Sequence, residues 1–353
     1  MRNIVICCDG TSNEFCEDNT NVVKLYQMLV KDPAAQLCFY DPGVGTFASP
    51  AALLPITKRI TRTLGLAIGL GLTSNVEDAY LYLMNHWQPG DRIFLFGFSR
   101  GAYAARAIAA MIHRCGLLAP GQGQLVEYAS RVFRNVADEN WKISREFGTT
   151  FGRPCPIHFL GLWDTVSSVG WAWDPKTLPY TANNPSVAIV RHAVAIDERR
   201  GFFRQNLWGD GPDVKQVWFA GVHCDVGGSY PPLRSGLSQL TLQWMVGQAE
   251  AAGLLVDPVR RDAILSSPAP SHRGEPNESL TDAWKLAEYY PKRRQRKVVV
   301  DGKEIWQTFY WPNLFGSRVI PEDSLIHSSV LRRRDEVPAY KPRNLPQRYR
   351  VVE

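Results

Sequence analysis

The chain has 353 residues, 45% of them hydrophobic and 21% charged. That balance supports a large buried core and excludes a chain that is mostly disordered. The formal charge of +6 is modest, and no recognisable nucleic-acid motif accompanies it, so nucleic acid is not an expected partner.

The opening stretch MRNIVICCDGT is no signal peptide, because its apolar run is short and leads straight into an Asp-Gly-Thr turn. Residues 2–8 read as a strand, 21–30 as a helix and 36–40 as a second strand. That strand runs into a turn-rich loop, Asp41 to Thr46. The glycine-rich run Leu64 to Leu72 is too short to cross a bilayer, and its glycines argue against a stiff helix. Ser74 to Trp87 is an amphipathic helix closed by Pro89-Gly90. A strand at 93–96 and a small-residue helix from Ala102 follow. Further strands are expected at 156–162 and 214–220, and a helix at 237–252. The polar stretches 179–185 and 258–277 read as loops. Seven cysteines, two of them adjacent in the first strand, do not form a disulfide framework. These features place the chain in the cytoplasm, or have it exported without a cleaved signal.

Strands alternating with helices imply an α/β fold: a doubly wound, mostly parallel sheet with helices on both faces. Residues 1–335 are expected to form a single domain with loop insertions at about 170–190 and 255–300. Residues 336–353 are expected to form a C-terminal tail. Ligands of such sheets sit beyond the carboxyl ends of the strands. Four apolar strands end there in groups of catalytic type: Asp9-Gly10-Thr11, Ser99, Asp164 and His223-Cys224-Asp225.

The second of these strands meets Gly97-Phe98-Ser99-Arg100-Gly101, and a helix follows at once. Strand, G-x-S-x-G and helix together are the nucleophile elbow of serine hydrolases. Glycines are needed because a side chain at 97 or 101 would strike the neighbouring element. Ser99 is therefore the expected nucleophile, Asp164 the acid and a histidine the general base. The base is His223 or His327: the first ends a strand, and the second lies late in the chain on what reads as a terminal loop. Asp225 is the alternative acid. For the oxyanion hole the candidates are the backbone N–H groups of Gly10, Thr11 and Arg100. No metal or cofactor is called for, although Asp9, Asp164 and Asp225 share an edge of the sheet.

Basic clusters at Lys292 to Lys297 and Arg332 to Arg334 suit either a solvated face or an anionic surface such as phospholipid headgroups.

The segments CDGTSN, NVVKLY, DPGVGT, NVEDAYLYLMNHWQPGDRIFLFGFSRGAYAARAIAAMI, FLGLWDTVSSVG, RHAVAIDERRGFF, VWFAGVHCDVGGSY and IHSSVLRR occur in this order. Together they resemble the α/β-hydrolase domain family that includes the catalytic domain of type VI secretion phospholipase effectors. The resemblance implies an α/β-hydrolase fold, a Ser-His-Asp triad and a lipase or phospholipase acting on glycerophospholipid esters. Such an enzyme would have peripheral contact with an anionic membrane. Beside it stand a carboxylesterase or thioesterase acting on a small soluble ester, and an inactive binding domain of the same fold. The chain departs from the family pattern in lacking long inserted membrane-binding modules, and in having Ser229 where the pattern has glycine. The sequence names neither an immunity partner nor a secretion partner.

Overall fold

In a computed structural model the described residues are 1–10, 18–43, 68–135, 139–166, 170–171, 174–175, 178–300 and 303–353. The central sheet is built from β1 (Asn3–Cys8), β2 (Gln36–Asp41), β3 (Arg92–Phe98), β4 (Ile157–Trp163), β5 (Val187–Ala195) and β6 (Val214–Phe219). A separate antiparallel hairpin, β7 (Lys292–Val300) and β8 (Lys303–Trp311), follows. The sheet then gains β9 (Ser324–His327) and β10 (Tyr349–Val352). Its spatial order is β2-β1-β3-β4-β5-β6-β9-β10. Every pairing in it is parallel.

The strands are apolar on both faces, as a parallel sheet covered on both sides requires. In β1, Ile4, Ile6 and Cys8 enter one core, while Val5 and Cys7 enter the other. In β3, Ile93 and Leu95 face the first core, and Phe94, Phe96 and Phe98 the second. The first core is closed by α2 (Ile68–His86), α3 (Arg100–Cys115), α4 (Val126–Arg134) and α5 (Glu139–Phe151). The second is closed largely by α1 (Asn21–Met28) and the helix Gly236–Ala251. Alanines at 102, 104, 105, 107, 109 and 110 let α3 lie close against the sheet, and only Arg100 and His113 of that helix are not buried.

Sheet order reverses between β1 and β3, with β2 outside β1 and all later strands outside β3. That switch point opens a crevice at the carboxyl ends of β1 and β3, the usual place for a ligand in this architecture. The residue after β3 is Ser99.

Several expectations need correction. The helix expected from Ser74 starts at Ile68, so Gly69 and Gly71 lie inside it in spite of their cost to a helix. The stretch 258–277 is not all loop: α8 (Pro258–Ser266) starts at an Asp257 N-cap with proline at its first position. The strand β5 was not anticipated as a central element, and it contains His192. Tyr349–Val352 leave the expected tail to pair with β9 as the edge of the sheet. Cys7, Cys8, Cys38, Cys115, Cys155 and Cys224 are free thiols. Among the described residues no helix is long and apolar enough to cross a membrane.

Candidate active site

The turn from β3 into α3 fixes Ser99 with φ 59° and ψ −120°, a conformation that a non-glycine residue adopts only under strain. Neighbouring backbone enforces it. A Cβ at position 97 would fall on Gly101, and one at 101 on the carbonyls of Cys8 and Asp9. The Ser99 N–H donates to Trp163 O at 3.0 Å, which ties the elbow to the end of β4.

The next residue along β4, Asp164, is wholly buried with φ 38°. Its own N–H donates to Ala193 O of β5, and its Oδ1 accepts the Ala195 N–H at 2.9 Å. Beyond β6 the chain enters α6 (His223–Gly227), which presents His223 between Asp164 and Ser99. His223 Nδ1 is 2.5 Å from Asp164 Oδ2, and its Nε2 is 2.9 Å from Ser99 Oγ. An ionised carboxylate only accepts, so Nδ1 carries the proton and Nε2 turns its lone pair toward the serine hydroxyl. Phe98 lies against the imidazole at 4.6 Å between ring centroids, and Phe203 meets it edge-on at 4.9 Å. Burial lowers the pKa of His223, although Asp164 opposes the shift.

Two buried groups that the sequence reading missed complete the arrangement. Arg318 grips the acid with both nitrogens, Nη1 to Oδ1 at 2.5 Å and Nη2 to Oδ2 at 2.9 Å. It also donates to Ala195 O and Phe203 O. Burial by itself would raise the Asp164 pKa, but Arg318 and the His223 hydrogen bond hold it well below the ordinary carboxylate value. Glu198 accepts from the Arg200 side chain through both oxygens, from Ser279 Oγ and from the His223 backbone N–H. Arg200 in turn lies 3.6 Å above the Phe203 ring. The segment RGFF was visible in the sequence without a role. Nothing there marked Arg318, which lies 154 residues after the acid it holds.

The alternative site residues lie elsewhere. His327 ends β9 and caps the following helix, α10 (Ser328–Glu336), its Nδ1 accepting the Ser329 N–H and facing the Ser329 hydroxyl. Its ring stacks on Phe219, and burial lowers its pKa to about 4. Asp225 accepts from the Val222 N–H, the Asn277 N–H and the Asn277 amide, so it anchors a loop instead of a histidine. Asp9 takes the Thr20 hydroxyl, the Tyr40 hydroxyl and the Gly10 N–H. Gly10 N–H, an oxyanion candidate, is thereby engaged at 2.6 Å. Thr11 lies outside the described residues. The Arg100 N–H opens α3, where no intrahelical acceptor exists for it. Asp9, Asp164 and Asp225 are thus held in three separate networks, and among the described residues no cluster of histidine, cysteine and carboxylate side chains could hold a metal ion.

A cavity of about 760 Å³, lined in part by His113, Arg114, Trp141 and Tyr180, sits at the other end of α3 from Ser99. Tyr180 stacks there on Trp141, while the carbonyl of Thr181 accepts from Arg106, which also donates to Thr165 beside the acid.

A family model described as the catalytic domain of type VI secretion phospholipase effectors, Tle1-like, matches residues 2–248. The chain belongs to this family. Among similar proteins, the uncharacterized protein YEL023C of Saccharomyces cerevisiae is 36% identical over 241 residues, which is 64% of this chain and 35% of the relative. The chain therefore spans about a third of that relative's length. A crystal structure of an uncharacterized protein from Pseudomonas aeruginosa aligns with 77% of this chain and 49% of its own, at TM-score 0.45 and 20% identity. The structure of the Tle1 effector bound to the VgrG spike of the type VI secretion system aligns with 88% of this chain and 91% of its own, at TM-score 0.43 and 14% identity. Ser229, where the family pattern is expected to have glycine, has φ 83°, a backbone state that favours glycine.

The Arg318 contact predicts a pH-dependent loss of stability. Asp164, with its lowered pKa, contributes stability above its unfolded value of roughly 4, and that contribution is lost as pH falls toward the folded value. Arg318→Gln should cost about 3 kcal/mol at neutral pH, because it strands a buried carboxylate. The deficit should narrow below pH ~4. Denaturant unfolding at a series of pH values measures this, and a deficit that does not change with pH would contradict it.

Proposed function

We propose that the protein is a serine ester hydrolase acting on glycerophospholipid esters. The observation that carries the reading is the unbroken series Ser99 Oγ, His223 Nε2, His223 Nδ1 and Asp164 Oδ2, with contacts of 2.9 and 2.5 Å at its two ends. Membership of the Tle1-like phospholipase family supports a phospholipid substrate.

In this reading the Ser99 oxygen attacks the ester carbonyl while its proton passes to His223 Nε2. The imidazolium so formed is stabilised by Asp164, which stays ionised because Arg318 faces it. The Arg100 N–H, at the positive end of α3, donates to the developing oxyanion. His223 then hands its proton to the departing alcohol oxygen as the acyl group stays on Ser99. A water molecule, deprotonated by the same nitrogen, attacks the acyl-enzyme. The fatty acid leaves, and Ser99 recovers its proton. Asp164 changes charge in neither half, which is why its low pKa suits the role.

Ser99→Ala should lower phospholipid hydrolysis by about 10⁴-fold or more. Its unfolding midpoint should stay close to that of the wild type, since the hydroxyl serves chemistry and alanine brings no new clash. A substrate panel of phospholipid vesicles, short-chain esters and thioesters, run for both proteins, tests this. Retention of a tenth of the activity would remove Ser99 from its role.

The lowered His223 pKa sets the acid limb. A base must be neutral, and this one stays neutral below the ordinary histidine value of about 6.5. The kcat/KM for a soluble ester should therefore rise through a midpoint below pH ~6.5. A midpoint clearly above that value would exclude His223 as the titrating base.

A further inference from the structure

Large apolar side chains are exposed in one short stretch following the loop that leads to α9 (Asp282–Glu288). Leu286 is 76% exposed, Tyr289 61%, Tyr290 50%, Tyr310 55%, Trp311 57% and Leu314 48%. Backbone contacts bring the end of α9 against the segment that follows the hairpin. The N–H groups of Asn313 and Leu314 both donate to Glu288 O, and the rings of Tyr289 and Phe315 meet at 5.7 Å. Trp311 stands opposite Lys292 in the hairpin register, two residues from Tyr290.

The ground beneath this patch is rigid. Glu288 is completely buried and accepts from the Gly201 N–H at 2.7 Å and the Asn313 amide at 2.6 Å, with Lys292 Nζ 3.6 Å away. The same platform reaches the triad. Trp284 of α9 meets Phe203 edge-on at 5.4 Å, and Phe203 packs on His223. Setting aside Lys292, Arg318 and Glu288, which are buried and paired within the fold, residues 286 to 319 carry five lysines and arginines against two acidic residues.

We propose that this patch is the face on which the protein docks onto a phospholipid bilayer carrying anionic headgroups; the proposal rests on reading the protein as a hydrolase of phospholipid. Monomeric proteins rarely leave large side chains exposed together without a partner. Tyrosine and tryptophan prefer the headgroup zone, where an apolar ring and a polar tip are both satisfied. The excess of cations on the same segment selects an anionic bilayer over a neutral one. Docking there would bring the lipid surface to the edge of the crevice that holds Ser99, with Trp284 and Phe203 between patch and histidine.

The test compares the full chain with the triple variant Tyr310→Ala, Trp311→Ala, Leu314→Ala. Flotation with vesicles of phosphatidylcholine alone, and of phosphatidylcholine mixed with phosphatidylserine, is measured at low and high salt. The wild type should prefer the mixed vesicles and lose part of that preference in salt. The variant should bind them at least about tenfold more weakly, a change of about 1.4 kcal/mol, and hydrolyse vesicle lipid correspondingly slowly. It should cleave a soluble short-chain ester at the wild-type rate, which also shows that it folds. Equal vesicle binding by the two proteins would overturn the docking surface while leaving the hydrolase reading in place. Loss of vesicle binding in the variant, with no ester or lipid cleavage by the wild type, would sustain the surface and overturn the hydrolase reading. A wild type that self-associates in light scattering, with a monomeric variant and no vesicle binding by either, would assign the patch to a second copy of the chain and overturn the proposal.

Discussion

Asp164 is an ionised carboxylate with none of its surface exposed, and the arrangement around Ser99 depends on how that charge is compensated. Burying a lone carboxylate costs several kcal/mol or more, so it survives only where donors surround it. Three parts of the chain supply four donors: the Ala195 N–H from β5, the two Arg318 nitrogens from the loop before β9, and the His223 ring from α6. Each of these contacts also has a positional consequence. The carboxylate orients the imidazole, the imidazole faces the serine, and Arg318 draws the segment after the hairpin onto the sheet edge. A single charge thus links the chemistry of the elbow to the closure of the C-terminal part of the fold.

Geometry elsewhere serves the same end. The reversal of strand order at β1 and β3 leaves room above Ser99, and the absence of side chains at 97 and 101 lets helix, strand and the β1 carbonyls close around it. Thr20 both caps α1, by accepting the Val23 N–H, and donates to Asp9, so the residue after β1 is tied to a helix terminus. Arg106 works on the other side of Asp164. It is fully buried on α3 and donates to Thr165 Oγ1 and to the carbonyls of Thr181, Asn206 and Leu207. Burial lowers its pKa to about 9. It fastens the chain just after the acid without competing for the carboxylate.

What was legible in the sequence follows from locality. The elbow is a contiguous pattern whose glycines have a steric cause, and the strands β1, β3 and β4 announce themselves by apolar runs ending in polar residues. His223 and Asp164 were legible because a parallel sheet sends all its carboxyl ends to one edge. Arg318 was not, because it lies in a loop and its partner is distant in the sequence, so only tertiary folding joins them. His327 misled for a related reason: it ends a strand, β9, but its ring is used to cap α10 and stack on Phe219. Basic clusters were equally ambiguous. Arg333 is buried against the carbonyls of His272 and Gly274, and Lys292 is held beside Glu288, so each serves the fold before it serves any surface.

The 2.9 Å contact between His223 Nε2 and Ser99 Oγ predicts a serine activated by that histidine. A fluorophosphonate reacts only with an activated serine and marks it covalently. The wild type should give a single adduct, found by peptide mass spectrometry on the fragment containing Ser99. The rate of labelling should collapse in His223→Ala and stay near the wild-type rate in His327→Ala. Labelling that survives in His223→Ala but is lost in His327→Ala, or an adduct on another serine, would exclude the Ser99–His223 pair.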